Sequence, residues 1–268
     1  MSYLAFIAAT GLYVLLGPGG PLHQDGWFRV LQQRVDALEP DFWLGFVLLV
    51  VTPCALFGLI YVLAAGLFGG AAMLLLGTAA LFFAFGRADF PTLMQRFLAR
   101  CRAGDSEGAS LLLESVGGET EAESAEAFGR VAGRSLAYEG FQRWFPAAFY
   151  FVLLGPLWAV AYRLIQLSSM DRRVPVGSLR HLVDWLPSRV LLVTFALAGN
   201  FDNTRTLIGD LALDPDVETD ELLMQGIEAA FTADDEDPAS QVEAVDRALK
   251  RATVIWVVAI SLMAMLLS

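Results

Sequence analysis

Eight polar residues that could bind an anion or form ion pairs lie between positions 139 and 200, within and beside long apolar segments. Arginine forks match the oxygen atoms of phosphates and carboxylates. Charged side chains at membrane depth are costly, so they are usually paired and are candidates for function. Two interpretations stay open: the set binds an anionic ligand such as a headgroup, phosphate or nucleotide, or it is a buried ion-pair network that fixes helix packing. The residues are Glu139, Arg143, Tyr162, Arg163, Arg180, Asp184, Arg189 and Asn200.

Three of these residues surround Pro187. Arg180 and Asp184 are four positions apart and would share one face of a helix, and we expect Asp184 to pair with both Arg180 and Arg189. Proline lacks a backbone N–H and its ring crowds the preceding turn. The sequence therefore predicts a kink or a helix end at Pro187, with backbone carbonyls left free.

The motifs of common enzyme classes are missing from the sequence. A phosphate-binding loop needs a lysine after its glycines, and the single lysine is Lys250. HExxH and Rossmann spacings do not occur. Residues 104–108 (GDSEG) match the letters GxSxG, but we identify no nucleophile elbow there, and His23 and His181 are far apart. Cys54 and Cys101 form neither a disulfide framework nor a metal-binding spacing. We assign no catalytic residue, no metal and no cofactor; the sequence favours a non-enzymatic role and leaves the question of activity open.

The composition is that of an integral membrane protein. Hydrophobic residues make up 56% of the 268 residues and charged residues 18%, against about 25% charged in soluble domains. The net charge of −11 is local, because residues 207–246 hold thirteen acidic residues and no lysine or arginine, and the rest of the chain is nearly neutral. Nucleic acid requires a basic stripe, so we exclude it as a partner and expect the lipid bilayer instead.

Apolar segments separated by polar helical periodicity predict an all-α, multi-pass membrane protein with four to five transmembrane helices. Two strong spans, 43–64 and 68–85, are joined near Gly66 and predict a helical hairpin whose small residues allow close packing. The Gly155-Pro156 pair interrupts the central span. The expected regions are an N-terminal membrane region (1–86), a polar helical subdomain (87–143), a central span with a re-entrant or amphipathic segment (144–200), an acidic soluble helical segment (201–251) and a C-terminal transmembrane helix (252–268).

The membrane topology is left open by the distribution of arginines. Basic residues mark both large polar regions, residues 87–143 and the residues around 172–251, as cytoplasmic by the positive-inside rule. A single crossing between them would put them on opposite sides. Either the segment at Gly155 turns back, or residues 190–199 cross as a half-helix, or this chain does not follow the rule. It also stays open whether residues 3–16 cross. We expect both polar regions on the cytoplasmic side, and two helices, 239–249 and 253–267, after the acidic linker at 234–238.

Three segments resemble the AmpE family of bacterial inner-membrane proteins: YEGFQRWFPAAFYF at 138–151, LLGPLWAVAYRL at 153–164 and HLVDWLPSRVLLVTFALAGNF at 181–201. The resemblance extends more weakly over nearly the whole chain. It implies a multi-pass inner-membrane protein that takes part in signalling for β-lactamase induction and peptidoglycan recycling, and hence in the antibiotic response. It also implies a cytoplasmic or membrane protein partner or an anionic small-molecule ligand, and it implies no cofactor.

The same segments are more distantly similar to the membrane-bound cobinamide-phosphate synthases of cobalamin biosynthesis, the CobD/CbiB family. Tyr162-Arg163 matches that family's Tyr-Arg pair, while Asp184, Pro187 and Arg189 match its proline turn in part. That resemblance implies an ATP- and Mg²⁺-dependent amide ligase in which Glu139 and Asp184 contact the metal or the amine. The chain departs from the family after Arg163, where residues 164–169 read LIQLSS. A structural membrane component without a ligand is the third alternative.

Overall fold

The chain folds as an all-α protein, as the sequence predicts. The computed structural model describes residues 2–16, 25–86, 90–120, 122, 124–169, 177–231 and 237–267, and over these residues it contains α-helices, one π-helical turn and no β-strand. Within the same residues, two helical stretches are long and apolar enough to cross a membrane, Phe42–Phe68 and Leu179–Ala198. The basic connector at 170–176 and most of the acidic linker at 234–238 lie outside the described residues.

The thirteen α-helices of the described residues fall into two compact units, whose boundaries cut α8 and α10. The first unit comprises Met1–Ala88 and Arg143–Val183, and the second comprises Asp89–Gln142 and Asp184–Ser268. The described helices are α1 (Ser2–Leu16), α2 (Gly26–Asp36), α3 (Phe42–Phe46), α4 (Thr52–Phe68), α5 (Gly70–Ala84), α6 (Phe90–Arg102), α7 (Ser106–Glu114), α8 (Ala125–Leu154), α9 (Pro156–Ser169), α10 (Gly177–Ala198), α11 (Phe201–Leu211), α12 (Thr219–Ala230) and α13 (Pro238–Leu267).

In the first unit, α5 packs against α1, α4 and α9. A Cβ added to Gly77 would lie 3.2 Å from the Cβ of Ala5, so the small residue permits the close approach of α5 to α1. The turn of the α4–α5 hairpin is at Gly69 rather than near Gly66. Gly69 has a φ of 60°, a conformation that glycine adopts without a steric penalty, whereas Gly66 remains helical.

A π-helical turn at Val47–Val51 joins α3 to α4 and was not expected from the sequence. Pro53 is the second residue of α4 and cannot donate a backbone hydrogen bond. The hydroxyl of Thr52 donates to the carbonyl of Val47, five residues back, at 2.9 Å, and the backbone N–H of Thr52 donates to the same carbonyl. The wider turn thus keeps the chain helical up to the proline.

The two predicted interruptions of the central segment have different outcomes. The break at Gly155 is confirmed: α8 ends at Leu154, α9 begins at Pro156, and Gly155 has a φ of 94°. At Pro187 the sequence predicts a kink or a helix end, and the helix end is wrong, because α10 continues through the proline. Pro187 leaves the carbonyl of Val183 without its helical donor, and the hydroxyl of Tyr150 supplies one at 2.7 Å. Residues 190–198 are therefore the second half of one longer helix, which ends before Gly199.

In the second unit, α6 packs against α7 and α13, and α12 packs against α11 and α13. Phe97 of α6 stacks on Phe128 with ring centroids 6.2 Å apart, and Leu223 and Val245 are fully buried. The two helices predicted at 239–249 and 253–267 form one continuous helix, α13. Lysine and arginine are good helix formers, so Lys250 and Arg251 mark a change of polarity without a break in the backbone.

We predict opposite effects for two glycine-to-alanine substitutions in the second unit. A Cβ at Gly199 would lie 2.3 Å from the backbone carbonyl oxygen of Ala230, which accepts from Asn200 N–H at 2.9 Å. Gly199→Ala should lower the free energy of unfolding by about 1–3 kcal/mol. Gly209→Ala, inside α11 with open space around it, should raise it by up to about 1 kcal/mol. Thermal unfolding in detergent tests both, and equal shifts would contradict the packing described.

Candidate functional site

Arg163 forms a buried ion pair in the first unit. Its Nη2 lies 2.8 Å from Oδ2 of Asp25, and the two side chains are only 4% and 10% exposed. Its Nη1 donates to Oε1 of Gln166 at 2.6 Å. Desolvating both charges is costly, and only good geometry with additional hydrogen bonds offsets that cost. Asp25 and Gln166 were not among the candidates, and Asp25 lies 138 positions from Arg163 in the sequence.

Aromatic and backbone contacts surround the other first-unit candidates. Tyr162 stacks on Tyr150 with ring centroids 5.8 Å apart, and Tyr150 donates to the carbonyl of Val183. Arg143 is buried, and its carbonyl accepts from Gly86 N–H at 2.8 Å. A Cβ on Gly86 would lie 2.4 Å from the Cγ of Arg143, so only glycine fits there. Arg180 is half-buried on α10.

Asp184 and Glu139 belong to the second unit, and each accepts a hydrogen bond from a neighbour. Asp184 is 1% exposed and accepts from the hydroxyl of Tyr138 at 2.6 Å. Glu139 accepts from Nε2 of Gln142, one turn further along α8. A neutral hydroxyl donor lowers the cost of burying a carboxylate.

Arg189 binds backbone oxygen atoms instead of pairing with Asp184. Its Nη2 donates to the carbonyls of Asp214, at 2.9 Å, and Val217, at 3.4 Å. Its Nη1 donates to Oγ of Ser188 at 3.1 Å, and its guanidinium lies 4.9 Å from the ring centroid of Trp185. The expected Asp184–Arg189 pair is wrong because the α11–α12 loop offers several oxygen atoms in the fork geometry of the guanidinium. Arg189 therefore fixes that loop to α10.

The eight candidates thus divide between the two units. Arg143, Tyr162, Arg163 and Arg180 belong to the first, and Glu139, Asp184, Arg189 and Asn200 belong to the second. Asn200 is the N-cap of α11, where its Oδ1 accepts from Asn203 N–H at 3.2 Å. Among the described residues there is no group of three His, Cys, Asp or Glu side chains placed to hold a metal ion.

Part of the acidic segment is neutralised within the second unit by two arginines of α8. We name this set the acidic clamp: Arg130, Arg134, Asp220, Glu221 and Glu228. Arg134 donates two hydrogen bonds to the carboxylate of Asp220, from Nε at 2.8 Å and from Nη2 at 3.0 Å. Hydrogen bonding to Asp220 raises the pKa of Arg134. Arg130 donates to Glu228 at 3.1 Å and to Glu221 at 3.0 Å. The sequence could not reveal these pairs, because their members are 86 to 98 positions apart.

The ion pair of the first unit should contribute more to stability than an exposed pair. Asp25→Ala removes the carboxylate from a buried guanidinium and should lower the free energy of unfolding by about 3–5 kcal/mol. Arg102→Ala removes an exposed pair with Glu243 and should cost less than about 1 kcal/mol. The double variant Asp25→Ala/Arg163→Met should recover much of the first loss. Chemical unfolding in detergent measures all three, and equal losses for Asp25→Ala and Arg102→Ala would contradict the assignment.

The acidic clamp should give a pH dependence through Glu228. Burial, partly offset by Arg130, raises the pKa of Glu228 above its ordinary value of 4.5. The ionised form is therefore penalised in the folded state, and the penalty is complete above the folded pKa and absent below about 4.5. Glu228→Gln should stabilise the protein slightly at pH 7, by less than about 1 kcal/mol because the site is half-exposed, and this gain should vanish as the pH falls. A gain that grows on acidification would refute this assignment.

No protein-family model, curated protein or solved structure matches the chain. The candidate site is therefore defined by its own geometry. In the first unit, a buried arginine is bonded to a carboxylate and an amide. In the second unit, a buried arginine is bonded to backbone carbonyls, a buried aspartate to a tyrosine, and a half-buried glutamate to a glutamine.

Proposed function

We propose that the protein is a multi-pass protein of the bacterial inner membrane with a regulatory role of the AmpE type, in signalling for β-lactamase induction and cell-wall recycling. In this proposal the polar helices α6, α7 and α12 face the cytoplasm and contact a protein partner. The buried arginines brace the helices that support them, and no cofactor takes part.

The observation that carries the membrane assignment is the exposed apolar surface of the stretch Phe42–Phe68. An 18-residue window within this stretch has a mean hydropathy of 2.6, yet only 11% of that window is buried. Leu63, Leu67 and Phe68 are among its large exposed side chains. A core helix of a water-soluble protein would bury such residues, and contiguous apolar surface of this kind marks a membrane or protein contact. Lipid is the partner that fits a helix about 27 residues long.

Other apolar helices supply the remaining crossings of the proposed four to five. Leu179–Ala198 is the second helix of sufficient length and hydropathy, and α1 and α5 are shorter apolar helices. The second half of α13 follows the basic pair Lys250-Arg251 and is apolar as far as Leu267. Arg96, Arg100 and Arg102 of α6 favour a cytoplasmic position for that helix.

The binding partners of the buried arginines support a regulatory rather than an enzymatic role. Arg163 and Arg189 bind oxygen atoms of the protein itself. The segments that resemble the AmpE family, residues 138–151, 153–164 and 181–201, supply Tyr138, Tyr150, Arg163 and Asp184 to these contacts. The resemblance thus coincides with the residues that hold helices together.

Deletion and complementation in the bacterium that encodes the chain test this proposal. Deletion should change the induction of β-lactamase by a cell-wall-active antibiotic several-fold, and the wild-type gene should restore it. Arg189→Lys keeps the charge but loses the fork that holds the α11–α12 loop, so it should restore induction only in part. Lys250→Ala should restore it fully, because it removes only an exposed pair with Asp246 on α13, which is not one of the proposed contact helices.

Two further results would overturn the proposal. If alkaline carbonate releases the chain from washed membranes, it is not an integral membrane protein. If deletion leaves induction unchanged while the purified chain joins a cobinamide-type acid to an amine with consumption of ATP, the synthase alternative is correct.

A further inference from the structure

A second polar site lies in the second unit, outside the central candidate set except for Asn200. It is an open cavity of about 440 Å³ between the end of α10, the start of α11 and the middle of α13. Gly199 and Asn200 line one side, Phe231 another, and Arg247 and Arg251 a third. Two arginines thus line one open cavity.

The two arginines lie on one face of α13, and contacts within the protein hold Arg251 in place. Arg247 and Arg251 are four positions apart on α13, so they share a face. Nη1 of Arg251 donates to the carbonyl of Ala198 at 3.1 Å, and its guanidinium lies 5.5 Å from the ring centroid of Phe231. Lys250, on the intervening position, does not line the cavity and pairs with Asp246 at 2.6 Å. The orientation of Arg251 is therefore fixed in advance, which lowers the entropic cost of binding an anion.

Apolar side chains are exposed on the same helices that border the cavity. Leu197 of α10 is 66% exposed and Val254 of α13 is 62% exposed. Phe201 at the start of α11 and Val258 one turn beyond Val254 are exposed as well. Each of these residues lies within about two helical turns of a residue that lines the cavity. An anion that binds between the arginines would therefore have apolar protein surface beside it.

We propose that this cavity binds the phosphodiester headgroup of an anionic phospholipid, with its acyl chains along the exposed faces of α10 and α13. Two arginine forks suit a phosphate, and the exposed apolar residues distinguish a lipid from a free phosphate ion. The inference rests on the proposed membrane location and goes beyond it by naming a lipid class and the residues that select it. Basic pockets beside membrane helices are a known means of recognising anionic lipids.

Lipid titration of the full-length protein in a neutral detergent tests the site. The probes are phosphatidylglycerol and phosphatidylcholine with identical acyl chains, and bound lipid is counted by native mass spectrometry. We expect one phosphatidylglycerol to bind in preference to phosphatidylcholine. Arg247→Gln/Arg251→Gln should weaken that binding about tenfold or more, because charge-assisted hydrogen bonds are lost. Lys250→Gln removes one positive charge from the same helix, as each single arginine substitution does, and should leave the affinity unchanged.

Additional variants separate loss of the site from loss of the fold. Arg247→Gln alone leaves the hydrogen bond between Arg251 and the carbonyl of Ala198 in place, and Arg251→Lys keeps a positive charge at position 251. Each variant should therefore weaken lipid binding less than the double substitution does. The melting temperature of each should equal that of the wild type. Equal binding of the two lipids, or equal effects of Lys250→Gln and the double substitution, would overturn the proposal. Saturation by inorganic phosphate with the same arginine dependence but no preference between the lipids would also overturn it in favour of a free anion. Carbonate extraction of the wild type reports separately on the membrane assignment.

Discussion

A guanidinium group placed among apolar helices must find oxygen partners inside the protein, and this constraint organises both units. Arg163 meets it with the carboxylate of Asp25 and the amide of Gln166. Arg189 meets it with two backbone carbonyls, a serine hydroxyl and the face of Trp185. An uncompensated buried charge costs several kcal/mol, roughly 3–5 when one partner is removed. Each arginine therefore determines which distant segment packs against its helix: the start of α2 for Arg163, and the α11–α12 loop for Arg189.

The same constraint applies to the backbone wherever proline interrupts its hydrogen bonds. Pro187 removes the donor that the carbonyl of Val183 would have used, and the hydroxyl of Tyr150 replaces it. Ahead of Pro53, the chain widens into a π-helical turn, and both donors of Thr52 reach Val47. Buried backbone groups in apolar surroundings are nearly always satisfied. A side chain or a wider turn thus lets both helices continue past a residue that would otherwise end them.

The sequence predicts the helices well and their polar partners poorly, for a physical reason. Hydrophobic periodicity and the Gly155-Pro156 pair are local signals, so the all-α class and the break between α8 and α9 follow from them. The partner of Arg163 lies 138 positions away, and no periodicity records such a distance. Four charged candidates, Arg143, Arg163, Asp184 and Arg189, are buried, but spacing along the chain points only to near neighbours as partners. Arg189 shows the error: spacing favours a carboxylate five positions before it, whereas carbonyls 25 and 28 positions later bind it.

The fold pairs acidic and basic side chains that the net charge of the chain does not reveal. The net charge of −11 suggests an anionic surface throughout the second unit, yet the acidic clamp pairs three carboxylates of α12 with two arginines of α8. Charges paired in this way contribute little to the field at a distance, because opposite signs a few ångströms apart cancel beyond a Debye length of about 10 Å. Arg247 and Arg251 line a cavity bordered by exposed apolar residues. Since local groups, rather than the sum over the chain, set the potential inside a cavity, an acidic protein can still present an anion-binding site at a lipid boundary.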